Sequence, residues 1–341
     1  MIVLTDLLRN PIDEGAKKST FNIIKQLRLL NNCYVVSVNS DSFFDIVDKY
    51  YRTNKTFLSL NLIRMLKKLP YKVILYVPES SFTLATLIRA GILKFLTGKR
   101  IFVLAFQPRR FKPYVVSVLR FFKPKCVFVQ SSVYAEYLTS NSFDNHMIPM
   151  GVDLDKFKPV DLDHKLLLRR KYGITEAAKV VLHVGHIRPE RNLDWLMKIK
   201  DIFSTIEVIV VGSTYSTGDQ KLQQDLKNKG IIVIREYIPD IHEIYQLSDY
   251  YVFPVRNDQA AIGTPLSVLE AMACNLAVFS TKFGSLPDIL REDEGIYFVE
   301  NADELIDAMA AMGLRHGQFD NRSKIAEFSW LDIAVKIVEC V

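Results

Sequence analysis

The segment Gly263-Thr-Pro-Leu-Ser-Val-Leu-Glu-Ala-Met-Ala-Cys274 holds residues whose types and spacing suit chemistry. A Gly-Thr turn precedes Pro265, which fits the first position of a helix because its φ is already helical and an N–H there would go unpaired. A helix starting here offers the backbone N–H groups around Thr264–Ser267, Leu266 included, to a phosphate or sugar oxygen. Glu270, about one turn further on, can accept two hydrogen bonds from a ribose diol. The same residues also suit an amphipathic helix with Glu270 on its solvated face. Residue types alone leave both readings open.

Two other stretches carry polar chemistry. In Pro11-Ile-Asp-Glu-Gly15-Ala-Lys-Lys-Ser, Gly15 permits close backbone approach, and Asp13 or Glu14 can meet an acceptor hydroxyl. A simple strand-to-helix loop with local capping accounts for these residues equally well. Between Arg109 and Lys125 the chain interleaves cations with Phe111, Tyr114, Phe121 and Phe122. Such mixtures bind anionic membrane surfaces, at roughly 1 kcal/mol per nearby cation. A solvated basic helix over the core is the alternative. No nucleic-acid module is recognisable, so nucleic acid is not an expected partner. Cys33, Cys126, Cys274 and Cys340 lie far apart without metal-ligand spacing, and no Asp-x-Asp pair is evident. No metal is therefore expected, nor any cofactor beyond a substrate, and the thiols read as core residues of a reducing compartment.

The elements that must position these residues are legible as short apolar runs. They are Ile2–Thr5, Tyr34–Val38, Lys72–Val77, Ile101–Phe106, Cys126–Gln130 and Met147–Met150 in the first half. In the second half they are Val180–Val184, Glu207–Val211, Ile231–Ile234, Tyr250–Pro254, Leu276–Ser280 and Gly295–Val299. Amphipathic stretches such as Lys18–Leu30 and Gln220–Lys229 separate them. Apolar strands alternating with helices imply parallel sheets covered on both faces. The pattern occurs twice in 341 residues, so the expected fold is α/β, with two doubly wound Rossmann-like domains facing a cleft. The join falls between Gly151 and Gly173.

Charge divides the chain in the same place. Residues 1–150 hold 22 Lys/Arg against 9 Asp/Glu, and the remainder holds 22 against 29. A basic half and an acidic half suggest different partners for each. No stretch is apolar enough for a membrane-spanning helix, and the first residues do not read as a signal peptide. The expected location is cytoplasmic, including the inner face of the membrane.

At this point a resemblance enters. The segment around Pro265–Cys274 looks like the donor-site signature of the family 4 (GT-B fold) glycosyltransferases, in which two Glu residues frame such a turn. Glu270 matches the second Glu, which in the family holds the ribose hydroxyls. Ile262 stands where the family has its sugar-contacting first Glu, and Asp258 is a candidate substitute. Val184-Gly-His-Ile-Arg-Pro-Glu-Arg191 resembles the family's diphosphate clasp, with His186 and Arg191 in the places of its two cations and Arg188 between them. A planar guanidinium at Arg191 can bond two phosphate oxygens. Ile148–Pro159 is similar to the interdomain segment, with Phe157 in an architectural role. Val210-Val-Gly212-Ser resembles the strand-turn beside the nucleotide, Tyr237–Asp249 the loop and helix near the base, and Phe328-Ser-Trp330 the returning C-terminal helix. Pro11–Gly15 sits where the family has a Gly-rich loop. Where many relatives carry a His, this chain has Gln107, which can hydrogen-bond but cannot act as a base.

The resemblance implies an acceptor-side domain over 1–155, a nucleotide-sugar domain over 156–325, and a helix over 326–341 returning toward the first. It implies a glycosyltransferase that moves a sugar from a nucleotide diphosphate to a hydroxyl acceptor with retention; stabilisation of the leaving group by these residues needs no metal, and the basic first half suggests a lipid-linked or membrane-presented acceptor. Arg191 and Glu270 would be catalytic. Gly15, His186, Arg188, Gly212, Gly263, Thr264, Pro265 and Leu266 would contact the donor, and Glu14 and Gln107 the acceptor. The alternatives are a non-catalytic nucleotide-sugar-binding or assembly subunit, and a nucleotide-sugar epimerase on the same fold.

Overall fold

The computed structural model describes residues 1–30, 33–53, 58–111, 120–213, 219–313 and 319–341. Its contacts separate two compact units. One comprises Met1–Met150, Ile262–Thr264 and Trp330–Val341; the other comprises Gly151–Ala261 and Pro265–Ser329.

The first unit is built on seven strands: β1 Ile2–Thr5, β2 Tyr34–Val38, β3 Lys49–Tyr51, β4 Val73–Val77, β5 Arg100–Leu104, β6 Cys126–Val129 and β7 Asn145–Met147. They lie in the order β3-β2-β1-β4-β5-β6-β7, and every neighbouring pair is parallel. Parallel strands need crossovers, and among the described residues the helices Gly15–Leu30, Leu60–Lys68, Leu84–Thr97 and Ser132–Ser140 provide four of the six. Because helices cover the sheet, β1, β4 and β6 are buried at every position. Local caps set the helix ends: Thr83 Oγ1 accepts from the Thr86 N–H at 3.3 Å, and Gly98 closes that helix at φ 70°. The helix Trp330–Cys340 packs on Gly15–Leu30 within this unit.

Two strands differ from the sequence-based expectation. Strand β3 was not anticipated: it is a three-residue edge strand, exposed or half-buried throughout, and carries no apolar run. Strand β7 sits at Asn145–Met147, earlier than the expected Met147–Met150. The apolar signal came from Ile148 and Met150, which are buried just beyond the strand, Ile148 bonding its N–H to the Val129 carbonyl at 2.7 Å.

The second unit has six strands: β8 Lys179–Val184, β9 Ile206–Val211, β10 Ile232–Ile234, β11 Tyr250–Phe253, β12 Ala277–Ser280 and β13 Ile296–Phe298. Their order is β10-β9-β8-β11-β12-β13, again all parallel. The order reverses direction between β1 and β4 in one sheet and between β8 and β11 in the other. In doubly wound sheets ligands bind outside the carboxyl ends of the strands at such a reversal.

Two polar arrangements hold the second unit together. Asp249 accepts from Lys165 Nζ at 2.7 Å, Arg169 Nη2 at 2.7 Å and the Val180 N–H at 2.8 Å, tying the helix Leu162–Lys171 to the start of β8. Arg322 donates to the Phe157 and Leu154 carbonyls at 2.7 Å each, fixing the segment after Gly151. In that segment Asp153 Oδ1 accepts from the Asp155 and Lys156 amides, so its role is to make the turn. Among the described residues no helix is long and apolar enough to cross a membrane.

Candidate functional site

In the second unit, the loops after β8 and β11 meet at the point where the strand order reverses. Strand β8 ends at Val184, and Gly185 leads into a 3-10 turn at Pro189–Arg191, with Arg188 at its N-cap. Asn192 adopts a left-handed conformation (φ 51°) and donates through Nδ2 to the Pro254 carbonyl at 2.7 Å, joining this turn to the end of β11. Asn and Gly tolerate this backbone best, so the turn is encoded locally.

The turn folds Arg191 inward, where it is only 6% exposed. Its guanidinium stands 5.9 Å from the centre of the Phe253 ring, and its Nε is buried with no partner. Among the described residues no carboxylate lies within ion-pair distance of it. Burial pushes its pKa down to about 10; Tyr251 opposes that shift and Arg188 adds to it. A buried cation without a counter-charge is costly, which makes the space around it selective for anions. Gly185 makes this placement possible, since a Cβ there would stand 2.8 Å from Arg191 Nη1. Gly185→Ala is therefore expected to turn the guanidinium away at little cost in stability, because the crowded atom is the end of a flexible side chain. A denaturant titration of the variant and its crystal structure would check this.

Glu270 lies in the helix Leu266–Ala273 and is 4% exposed, so it is not on a solvated face. Its Oε2 accepts a 2.8 Å hydrogen bond from the Tyr245 hydroxyl, which is itself fully buried. Burial and the neighbouring Glu270 push the Tyr245 pKa well up, so the phenol stays a donor. Tyr245→Phe is expected to cost about 1–3 kcal/mol, read from urea unfolding, because it removes a bond to a buried carboxyl group.

An aromatic row connects the two residues. Tyr245 stacks on Tyr251 at 5.9 Å, Tyr251 on His183 at 6.4 Å, and His183 on Phe253 at 6.5 Å, beneath Arg191. Tyr251 and Phe253 share one face of β11 because side chains two apart on a strand point the same way. The sequence reading did not single out His183, Tyr251 or Phe253, which read there as strand residues.

The other expected donor residues of this unit are less enclosed. His186 is half-buried and Arg188 exposed. Gly212 follows β9 and bonds its N–H to the Ile234 carbonyl at 2.8 Å; a Cβ there would press on Ile187 at 3.1 Å. Asp258 is exposed in the loop after β11, beside Gln259 at 3.2 Å. Pro265 is the N-cap of Leu266–Ala273 and is buried.

Gly263 and Thr264 belong to the first unit, and their amides are occupied. The Gly263 N–H donates to the Phe106 carbonyl at 2.6 Å, and the Thr264 N–H to Gln130 Oε1 at 2.6 Å. While both bonds stand, the amides left open at the start of the helix are those of Leu266 and Ser267. The close neighbour of Gly15 is Ile262, whose Cδ1 would lie 3.0 Å from a Cβ at Gly15. Glu14 precedes the helix Gly15–Leu30 with its carboxylate 3.9 Å from Lys17 Nζ. Gln107 follows β5; its Oε1 accepts from Arg109 Nη2 at 2.8 Å. Of the basic run 109–125, residues 112–119 lie outside the described residues. Cys33, Cys126 and Cys274 are buried free thiols, and burial pushes Cys126 up to about 12.

The family model described as Glycosyl transferases group 1 matches residues 178–313. Among curated proteins, a D-inositol 3-phosphate glycosyltransferase of Geodermatophilus obscurus is 31% identical over 173 residues, covering 46% of this chain and 37% of that protein. A GDP-mannose-dependent phosphatidylinositol monomannoside mannosyltransferase of Corynebacterium glutamicum is 25% identical, covering 54% and 52%. The chain thus spans about half or less of these relatives' length. Among solved structures, a glycosyltransferase from Rickettsia africae superposes with TM-score 0.80 at 15% identity, covering 99% of this chain and 97% of that one. HepE of Anabaena, solved with UDP, superposes with TM-score 0.77 at 14% identity, covering 99% and 98%. The chain thus has two parallel-sheet α/β units of the GT-B type, and its residues 178–313 match the model of the glycosyl transferases group 1.

Proposed function

We propose that the chain transfers a sugar from a nucleoside diphosphate donor to a hydroxyl-bearing acceptor, with retention and with protein side chains stabilising the leaving group. The observation that carries this reading is Arg191, a buried cation with no carboxylate partner at the reversal between β8 and β11. The diphosphate supplies the missing counter-charge, bonding the guanidinium through two oxygens. Glu270, held by Tyr245, takes the ribose diol. The Leu266 and Ser267 amides, at the N-terminus of an eight-residue helix, meet donor oxygens. In the transfer, the acceptor oxygen bonds to the anomeric carbon as the bond to the diphosphate breaks. The electron pair leaves with the diphosphate, whose oxygen takes the hydroxyl proton. Arg191 stabilises charge that grows on the leaving oxygen, the type of contribution that accelerates chemistry. His186 and Arg188 add donors at the mouth, and Glu14 and Gln107 serve the acceptor.

We further assign a lipid-linked or membrane-presented acceptor at the cytoplasmic face. In support, the first 150 residues carry 22 cations against 9 acids, and Phe95 (59% exposed) and Phe121 (63%) stand out among them. A thermal-shift series with UDP, GDP, ADP and their sugar conjugates tests the donor, since a ligand of the folded state raises Tm. No shift with any of them would overturn the reading. Binding without transfer or donor hydrolysis would select the non-catalytic subunit, and isomerised donor without acceptor would select the epimerase.

A further inference from the structure

His183, in β8, is fully buried, with its imidazole stacked against Tyr251 (14° between planes) and Phe253 (25°). Its Nδ1 lies 2.9 Å from the Val252 carbonyl. A carbonyl only accepts, so the proton sits on Nδ1 and Nε2 carries a lone pair. Burial pushes the imidazole pKa down to about 3; the Val252 bond opposes that shift and Arg191 adds to it, so the ring stays neutral. Nε2 has no hydrogen-bond partner, and neither has Arg191 Nε. The two side chains flank one point: a Cβ on Gly185 would stand 3.2 Å from His183 Nε2 and 2.8 Å from Arg191 Nη1. A hydrogen bond between this guanidinium and Nε2, not made in the structure as it stands, would remove the desolvation penalty of the buried acceptor.

We propose that His183 is a positioning residue for Arg191: a small rotation of the guanidinium from its place here lets Nε2 accept a hydrogen bond from it and holds the remaining N–H groups toward the donor diphosphate. This rests on the reading of Arg191 given above. A neutral acceptor suits the task because it orients the guanidinium without cancelling its charge. A carboxylate at 183 would neutralise the cation that the diphosphate needs. An aromatic hydrocarbon would fill the same space between Tyr251 and Phe253 and leave the guanidinium unheld.

The test compares the full chain with H183F, which keeps the ring stack, and H183Q, which returns an amide oxygen close to the place of Nε2. Affinities for UDP, GDP and inorganic pyrophosphate are measured by calorimetry, and folding by thermal melts. H183F is expected to bind each about tenfold more weakly, and H183Q to recover most of the loss. Equal binding by H183F, or H183Q as weak as H183F, would overturn the proposal. A crystal structure of the unaltered chain with UDP or pyrophosphate decides independently. His183 Nε2 is expected within about 3.2 Å of an Arg191 nitrogen, and a wider separation would sink the idea. If the unaltered chain binds none of the three probes, the diphosphate reading fails. The same distance, measured in ligand-free crystals, then judges the His183–Arg191 pairing by itself.

Discussion

Replacing Arg191 by Met is expected to weaken nucleoside diphosphate binding about ten- to a hundredfold while making the empty protein more stable. The first effect follows from removing charge-assisted bonds worth about 1.5–3 kcal/mol. The second follows from burial. Arg191 is 6% exposed, has no carboxylate partner among the described residues and leaves Nε unpaired. Substituting a buried ionic group by an apolar side chain of similar volume is often stabilising by about 1–4 kcal/mol. Met also brings a polarizable sulfur close to the Phe253 ring. Calorimetric melts of the two empty proteins and titration with UDP and GDP measure both quantities. A lower Tm together with unchanged affinity would mean that Arg191 is a structural residue. Binding sites that give up stability for function show this opposition of signs.

The Asp249→Ala change should act in the opposite sense, destabilising the second unit by about 3–5 kcal/mol without contacting the donor. It strands two cations, Lys165 and Arg169, that Asp249 holds at 2.7 Å each in a largely buried setting. The pH dependence identifies the cause. Burial raises the Asp249 pKa, but Lys165 and Arg169 outweigh it, so the net shift is downward. A carboxylate with a depressed native pKa stabilises the fold above its unfolded value of about 3.9, and that stability is lost as pH falls through the native value. The gap between native protein and Asp249→Ala should therefore be full from pH 5 to 8 and narrow below about pH 4. Urea unfolding across that range checks it; a gap independent of pH would point to packing alone.

How much of this could be read from the residues depends on the range of the interaction that places each one. The strands were legible because their apolar runs are local and well buried, as in β8, where Val180–His183 are buried at every position. Strand β3 was not, since an edge strand such as Lys49–Tyr51 is specified by its partner β2 through Val36↔Lys49 and its neighbours, not by its own composition. The Gly-His-Ile-Arg-Pro-Glu-Arg run announced a cationic turn, yet the depth of Arg191 follows from Gly185 and Phe253, one in the turn and one a strand away. The Gly263 and Thr264 amides looked free because their acceptors, Phe106 and Gln130, lie more than a hundred positions earlier. His183 gave no signal, because a histidine inside an apolar run reads as an ordinary core residue until its unpaired nitrogen is located.

The division of the chain also bears on its synthesis. The first unit needs Ile262–Thr264 and Trp330–Val341 in addition to Met1–Met150. A nascent chain stopped at residue 150 thus carries all seven strands of one sheet but lacks the helix that packs on Gly15–Leu30. The absence of that helix leaves an apolar face of the emerging unit uncovered while the whole second unit is being translated. Chaperone occupancy should therefore be concentrated on this early intermediate and fall once residues 330–341 have been made.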